Sequence, residues 1–428
     1  MSLAYFWIFL LLLAAGAPII FALLIAPGLS LTVDGQEEFY TSLLSRLYNG
    51  MDSFPLMAVP FFILAGEVMN TGGVTQALVR FTQSIVGHVR GGLAQVNIMS
   101  SILFAGLSGS AVADTSALGK MLIPAMEKAG YSTRFAAAVT AASSVIGPIV
   151  PPSGIMILYA FVMNVSVAGL FAAGIVPGIL IGGGLMLVTF LLAKKRNYPV
   201  ANEKATWKER RLTFFQTFPA LMTPIILLGG ILSGIFTPTE AAAVAATYAL
   251  FVSYFVMRTI SVSDLPRIFV NAAAQSAIIL LLVGSAVTFA WIITVSGMAG
   301  NMADGLSSMS DNVLVLLLLI NLFLFVVGMF LDAGPAILIL GPVLAPLMVG
   351  MGVDPMHFAI VMCVNVTVGL ITPPMGLVLF VASSVSGEKP ESIALEMLPF
   401  LALEVAVIIA ITLFPAISLT LPRLLGYA

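Results

Sequence analysis

Charge is what this chain has least of. Only 8% of its 428 residues are Asp, Glu, Lys or Arg, where a soluble domain carries roughly 25%, so it cannot cover a water-facing surface of its own. Cysteine is almost absent. The one present, Cys363, excludes an internal disulfide framework and a cysteine-based metal cluster. The two histidines, His88 and His357, stand far apart and form no ligand pair. Seventeen Lys and Arg against 19 Asp and Glu leave a net charge of −2, with no basic face for nucleic acid and no acidic tail. What fills the chain instead is hydrophobic, 60% of it, at a mean hydropathy of +1.12. Its solvent is the lipid bilayer.

The first apolar stretch, Leu3 to Ile25, has about 23 residues, enough to cross roughly 30 Å of hydrocarbon. It lacks the basic start and short apolar core of a cleaved signal peptide, so one retained helix is expected there. Further spans are expected near 53–70, 132–163, 166–193, 213–233, 239–257, 268–298, 355–386 and 395–420. Several exceed the length of one straight helix and carry breakers in the middle: Gly147-Pro148 with Pro151-Pro152, Gly284, and Gly369 with Pro373-Pro374. Two other apolar stretches, 92–128 and 312–350, hold polar, glycine-bearing tips at Ser108-Gly109-Ser110 and Asp332-Ala333-Gly334. A helix of about 16 residues on each side of a tip reaches only partway across and returns. Both stretches read as re-entrant hairpins.

Charge orients this layout. Segments 71–92, 128–134, 194–211, 258–267 and 387–394 hold 14 of the 17 Lys and Arg residues. The connection at 299–311 has two Asp and no Lys or Arg. The positive-inside rule then puts the N-terminus in the cytoplasm and the C-terminus outside.

Residues 106–160 align on residues 328–382 at a constant offset of 222, with 16 identities in 55 positions. The identities include the punctuation: Gly119 on Gly341, Pro124 on Pro346, Gly130 on Gly352, Gly147 on Gly369, Pro151-Pro152 on Pro373-Pro374, and Gly154 on Gly376. Apolar composition alone does not align glycine and proline at one offset. The single span at 213–233 reverses everything after it, so the copies have opposite orientations. The expected fold class is an all-α polytopic membrane protein with inverted-topology repeats, two re-entrant hairpins and two broken helices, as in secondary transporters.

Each helix break frees carbonyls at one half-helix end, which suit a hard cation such as sodium, and amides at the other, which suit a carboxylate. The first cation site is expected from Ser108, Gly109, Ser110, Ser143, Ser144, Gly147 and Pro151, and the second from Asp332, Gly334, Asn365, Gly369 and Thr372. The carried molecule belongs between the tips, with Ser110, Asp114, Thr115, Ser153, Asp332 and Met375 as candidate contacts. The plainer reading stays open, because a serine in a membrane helix often bonds back to its own turn or packs on a neighbour. Asp114 and Asp332 stand apart, since an intramembrane carboxylate is costly and usually functional. Glu67 and Glu240 are expected at helix caps or subunit contacts, His88 and His357 at the interface, and Cys363 in the core. No HExxH, no Cys/His cluster and no serine near a plausible histidine point to an enzyme. A channel suits two hairpins on opposite faces less well than alternating access does.

At these residues the chain resembles the large membrane subunit of a tripartite ATP-independent periplasmic (TRAP) transporter, of the sialic acid or C4-dicarboxylate type. The resemblance is carried by 61–70 (FFILAGEVMN), 104–120 (FAGLSGSAVADTSALGK), 141–152 (AASSVIGPIVPP), 234–243 (GIFTPTEAAA) and 369–376 (GLITPPMG). It implies Na+-coupled uptake of a small organic anion across a bacterial inner membrane. It also implies delivery by a periplasmic substrate-binding protein, a small four-helix membrane subunit as partner, and an elevator-type movement. On that model residues 1–91 form a first scaffold part, and 92–165 a transport unit with the first hairpin and broken helix. Residues 166–267 are scaffold with a cytoplasmic linker at 194–211, 268–390 carry the second hairpin and broken helix, and 391–428 form a C-terminal span. The amphipathic 36–50 stretch joins the scaffold. The alternative within transport is a stand-alone sodium/dicarboxylate or citrate carrier.

Overall fold

A computed structural model describes residues 3–198, 204–298, 310 and 312–427. In chain order its helices are α1 (Ala4–Ala14), α2 (Ile19–Val33), α3 (Tyr40–Met51), α4 (Ala58–Thr71), α5 (Val74–Val86), α6 (Gly92–Ser108) and α7 (Ala111–Lys128). There follow α8 (Thr133–Ser144), the single turn α9 (Ile146–Ile149), α10 (Gly154–Met163), α11 (Val167–Lys195), α12 (Trp207–Leu232), α13 (Pro238–Phe251) and α14 (Leu265–Val295). The last are α15 (Val313–Phe330), α16 (Ala333–Gly350), α17 (Pro355–Gly369), α18 (Leu377–Ser386), α19 (Pro390–Leu413) and α20 (Ala416–Leu424). Among the described residues nine helical stretches are long and apolar enough to cross a bilayer, and there is no strand. The chain is a multi-pass helical membrane protein. In lipid only a helix satisfies every backbone group within its own segment.

Both expected helix–tip–helix hairpins are present, with arms of 17 and 18 residues in the first and 18 and 18 in the second, longer than expected, and both arms of the second are among the nine stretches long enough to cross. The first turns at Gly109, whose φ of +60° suits a residue without Cβ, and Ser110 then caps α7 by accepting from the Ala113 amide. The second turns through extended Leu331, and Asp332 caps α16 by accepting from the Ala333 amide. Ser110 and Asp332 are 222 residues apart and do the same work. So do Ser132 and Asp354, which cap α8 and α17. Both broken spans are present too, as α8–α9–α10 and α17–α18, interrupted where the paired prolines stand. The return helix of each hairpin packs on the outgoing half-helix of the other stretch, α7 on α18 and α16 on α10.

Three sequence expectations need correction. Leu3 to Ile25 is not one span. The chain turns between Ala15 and Pro18, with Gly16 at φ +82°, and α1 and α2 fold back on each other. At 1.5 Å per residue they reach about 16 and 22 Å, neither enough to cross alone. Pro18 supplies no amide and sits at the start of α2, where none is needed. Gly284 does not break its helix, for α14 runs on from Leu265 to Val295. A Cβ at Gly284 would lie 2.7 Å from the Leu47 carbonyl oxygen, so this glycine lets α3 come close. The last span ends at Leu413, and α20 follows as a separate helix. The connection at 299–311 lies outside the described residues except for Ser310.

Close backbone approach also joins the second hairpin to the second broken helix. A Cβ at Gly369 would lie 2.5 Å from the Gly328 Cα, so α15 and α17 touch through two glycines, as small-residue packing in membranes favours. Overpacking such a contact costs about 1–3 kcal/mol. Gly369→Ala and Gly328→Ala should therefore lower the thermal unfolding midpoint of the purified protein. Gly183→Ala on α11, where nothing lies within 4 Å, should leave it unchanged or raise it slightly. Equal midpoints for all three would mean that α15 and α17 are not packed this closely.

Candidate functional site

The two tips meet. Gly109, Ser110, Ala111 and Ala113 of the first hairpin line a cavity of about 610 Å³ together with Asp332, Ala333, Gly334 and Pro335 of the second. Pro148, Pro152, Gly154 and Ile155 of the first break join them, as does Leu370 of the second. The opposite wall comes from α2, α4, α12 and α14. It is mostly apolar, with Val59, Phe62, Ile63, Leu227 and Leu282, but it holds a polar patch at Glu67, Asn70 and Gln275.

The electrostatics follow from which helix ends arrive here. Helices α7, α10 and α16 all begin at the cavity. The first amides of a helix have no partner within it, and the summed peptide dipoles leave roughly half a positive charge at that end. Among the described residues no Lys or Arg lines the cavity. Positive potential is thus supplied by backbone, at the tips themselves, and suits a carboxylate or another small anion.

Behind the cavity, buried side chains tie each hairpin to its broken helix. In the first, Ser101 Oγ donates to Ser143 Oγ at 2.9 Å, and Asn97 donates to Thr140 Oγ1 at 2.6 Å. In the second, Asn365 Nδ2 donates to Asn321 Oδ1 at 2.9 Å, and Asn321 Nδ2 to Thr412 Oγ1 at 2.7 Å. Ser143 and Asn365 are again 222 apart. Gly147 and Asp114 are in contact: a Cβ at Gly147 would strike the Asp114 carboxylate, so the glycine makes room for a buried acid beside the break.

Of the residues singled out in the sequence, Gly109, Ser110, Asp332 and Gly334 reach the cavity. Ser143, Ser144, Gly147, Asn365, Gly369 and Thr372 are buried behind it, at the breaks. So is Pro151. Ser144, Thr115 and Thr372 donate back to carbonyls of their own helix or turn: Ala141 at 2.7 Å, Ala111 at 2.9 Å and Val368 at 3.0 Å. Ser153 closes its own break by donating to the Pro148 carbonyl and capping α10. Asp114 is buried against Gly147, and Met375 is 53% exposed outside the cavity. The Ser108 backbone ends α6, and its side chain lies outside the described residues.

The expectation of free carbonyls at the breaks also changes. At the second break the carbonyls of Thr367, Val368, Gly369 and Leu370 all accept from amides of the same turn region. Val368 accepts a second bond from Thr372 Oγ1, but the carbonyls of Thr367, Gly369 and Leu370 each keep a second lone pair, so the turn still offers oxygens to a hard cation. That donor set, with the hydroxyls of Thr367 and Thr372 beside it, fits sodium in kind.

Sequence reasoning missed several participants. The α1–α2 turn brings Pro18, Ile19 and Ile20 to the cavity wall, hidden because that stretch reads as one helix. Glu67 is no cap: it lines the cavity and accepts from Asn271 Nδ2 at 2.9 Å across α4 and α14. Glu240 does form a capping box with Thr237, as expected. Asn97 and Asn321 could have been flagged as amides within apolar runs. His357, expected at the interface, is buried and bonded through Nδ1 to Ser418 Oγ at 2.8 Å. Cys363 is in the core, as expected.

Comparison with known proteins agrees with this geometry. The family model described as "Tripartite ATP-independent periplasmic transporter, DctM component" matches residues 6–417. The sialic acid TRAP transporter large permease protein SiaM of Vibrio cholerae is 40% identical over 417 residues, covering 97% of each chain. The C4-dicarboxylate TRAP transporter large permease protein DctM of Pseudomonas aeruginosa is 38% identical over 385 residues, covering 90% of each. Among solved structures, the YdaH transporter of Alcanivorax borkumensis shares the fold at a TM-score of 0.64 and 18% identity, over 90% of this chain and 89% of that one. The chain belongs to the DctM family, the large permease components of tripartite ATP-independent periplasmic transporters, and is not an enzyme.

Proposed function

We propose that this permease carries a small organic anion into a bacterial cell in symport with sodium. A periplasmic binding protein delivers the anion, and a small membrane subunit works beside this chain. One observation carries the reading: three helix N-termini, two of them hairpin tips, converge on one cavity with no basic side chain among the described residues. Such a site recognises the anionic group that unlike substrates share, whatever else they carry. Relatives named for sialic acid, C4-dicarboxylates, 2,3-diketo-L-gulonate and isethionate fit that chemistry, because every one of these is an anion.

In this mechanism the tips hold the anion by backbone amides and dipoles. Asp332 and the oxygens at the breaks offset the charge of the cations that travel with it. Sodium supplies the positive charge that lets two breaks and an acid share one dry site, and its candidate positions are those beside Ser110 and Ser143 and beside Asp332 and Asn365. The body that moves gathers α6–α11 and α15–α20, whose mutual packing is dense. Helices α1–α5 and α12–α14 stay as scaffold. This division departs from the expected transport units 92–165 and 268–390: it takes α11, α19 and α20 into the moving body, because α11 lies against α19 and α20 and α19 against α8, and leaves α14 with the scaffold, because α14 lies against α2, α3 and α4. The basic connections 71–92, 194–211 and 258–267 face the cytoplasm and the C-terminus the periplasm; because α1 and α2 fold back on each other instead of crossing, the N-terminus expected in the cytoplasm lies on the side where α2 ends, opposite those connections.

Sodium should raise the thermal unfolding midpoint over potassium or choline at equal ionic strength, by up to about 2.7 kcal/mol of stability at a hundred times its dissociation constant. Ser110→Ala and Asp332→Ala should reduce that rise and abolish sodium-dependent uptake while expression holds. Full uptake in both variants would remove the site assignment. Proteoliposomes lacking the binding protein should show no uptake; undiminished uptake would favour a stand-alone carrier. Because Cys363 is buried, a cysteine placed at Lys204 should be labelled by an impermeant maleimide from the cytoplasmic side alone, and one at Ser310 from the periplasmic side alone. The reverse pattern would invert the topology.

A further inference from the structure

One buried acid has no place in that mechanism. Glu404 lies in the middle of α19 with no accessible surface, and among the described residues neither carboxylate oxygen has a hydrogen-bond partner. It belongs to the buried face of α19, whose other members are apolar except Thr412, two turns on and bonded to Asn321 and to the Ile408 carbonyl. Leu403, its neighbour, fills the space that a Cβ on Gly184 of α11 would need, so α11 and α19 are tightly packed here.

No charge answers it. The helices against α19 are α8, α11, α15, α17, α18 and α20. Their titratable groups are Arg134 on α8, Lys194 and Lys195 on α11, His357 and Cys363 on α17, and Arg423 on α20, with none on α15 or α18. Arg134 is in the first turn of its helix and bonded to Glu388. Lys194, Lys195 and Arg423 are in last turns. His357 is bonded to Ser418, and Cys363 is a buried thiol. On α19 itself, Glu391 is in the first turn and Glu396 is paired with Arg196 at 2.7 Å, two turns before Glu404. An ionised carboxylate without partners in such a place is far less favourable than a neutral acid.

We propose that Glu404 is a proton-binding site in the moving body of this permease. Its carboxyl holds one proton while α19 is packed as seen here, and gives uptake a proton dependence separate from the cations at the breaks. Binding forms one O–H bond on a carboxylate oxygen with a proton taken from water. Release returns that proton to water when water reaches the carboxyl, and no other bond changes. The uptake part of the inference rests on the transport reading; the proton itself does not.

Two measurements test it on the full-length permease with its small subunit. The first is infrared spectroscopy near neutral pH. The carbonyl stretch of a neutral carboxylic acid should be present in the wild type and lose one component in Glu404→Gln. An identical band in both would overturn the proposal, whether or not the protein transports anything. Should Glu404→Gln misfold, Glu404→Leu leaves no polar atom to satisfy and should keep or raise the unfolding midpoint. A marked drop with leucine would reveal a bonded partner and overturn the proposal as well. The second is uptake as a function of pH at saturating sodium. Wild-type uptake should fall by up to about tenfold per pH unit once the carboxyl begins to lose its proton, and the variants should lose this limb. The same profile in wild type and variants would remove the link to transport.

Discussion

Everything in this structure depends on one constraint: no peptide group may stand unsatisfied at membrane depth. A chain that interrupts its helices inside the bilayer must find partners for the interrupted backbone, and this one does so by burying the interruptions against each other. The tips are capped by Ser110 and Asp332, and the second break is folded into turns whose carbonyls accept amides of the same loop. The site is a by-product of that solution. Once three helices must begin inside the protein, their positive ends point at whatever space lies between them.

The polar groups behind the cavity hold this arrangement together without lining it. Ser101 with Ser143, and Asn321 with Asn365, fix each hairpin to its broken helix through buried hydrogen bonds. Reciprocal packing of α7 on α18 and α16 on α10 then ties the halves into one body. The tips are thus set in one packed frame, while the facing wall of α2, α4 and α14 is mostly apolar around Glu67, Asn70 and Gln275.

Legibility from the sequence followed local chemistry. The hairpins were readable because glycine and polar residues interrupt long apolar runs at matching positions, and the breaks because proline cannot continue a helix. The caps at Ser110 and Asp332 follow from residue type alone. Gly284 misled, because a glycine that breaks a helix and one that admits a neighbour look the same until the neighbour is known. The Leu3–Ile25 stretch misled because composition reports length in residues and is blind to a turn at Gly16. Met375 and Thr115 fell beside the right elements yet face elsewhere, since direction within a turn is set by packing.

By itself, then, the sequence determined the solvent, the all-helical class, the repeat, and the stops at the two polar tips and the two proline pairs. These depend on residue type and spacing, which act locally. Only the tertiary structure decided which stops meet in one cavity, that Glu67 and the α1–α2 turn line it, that Asp114 sits behind a glycine, and that Glu404 is left without a partner. Each of these depends on atoms up to several hundred residues apart, and the contact exists only after the helices have packed.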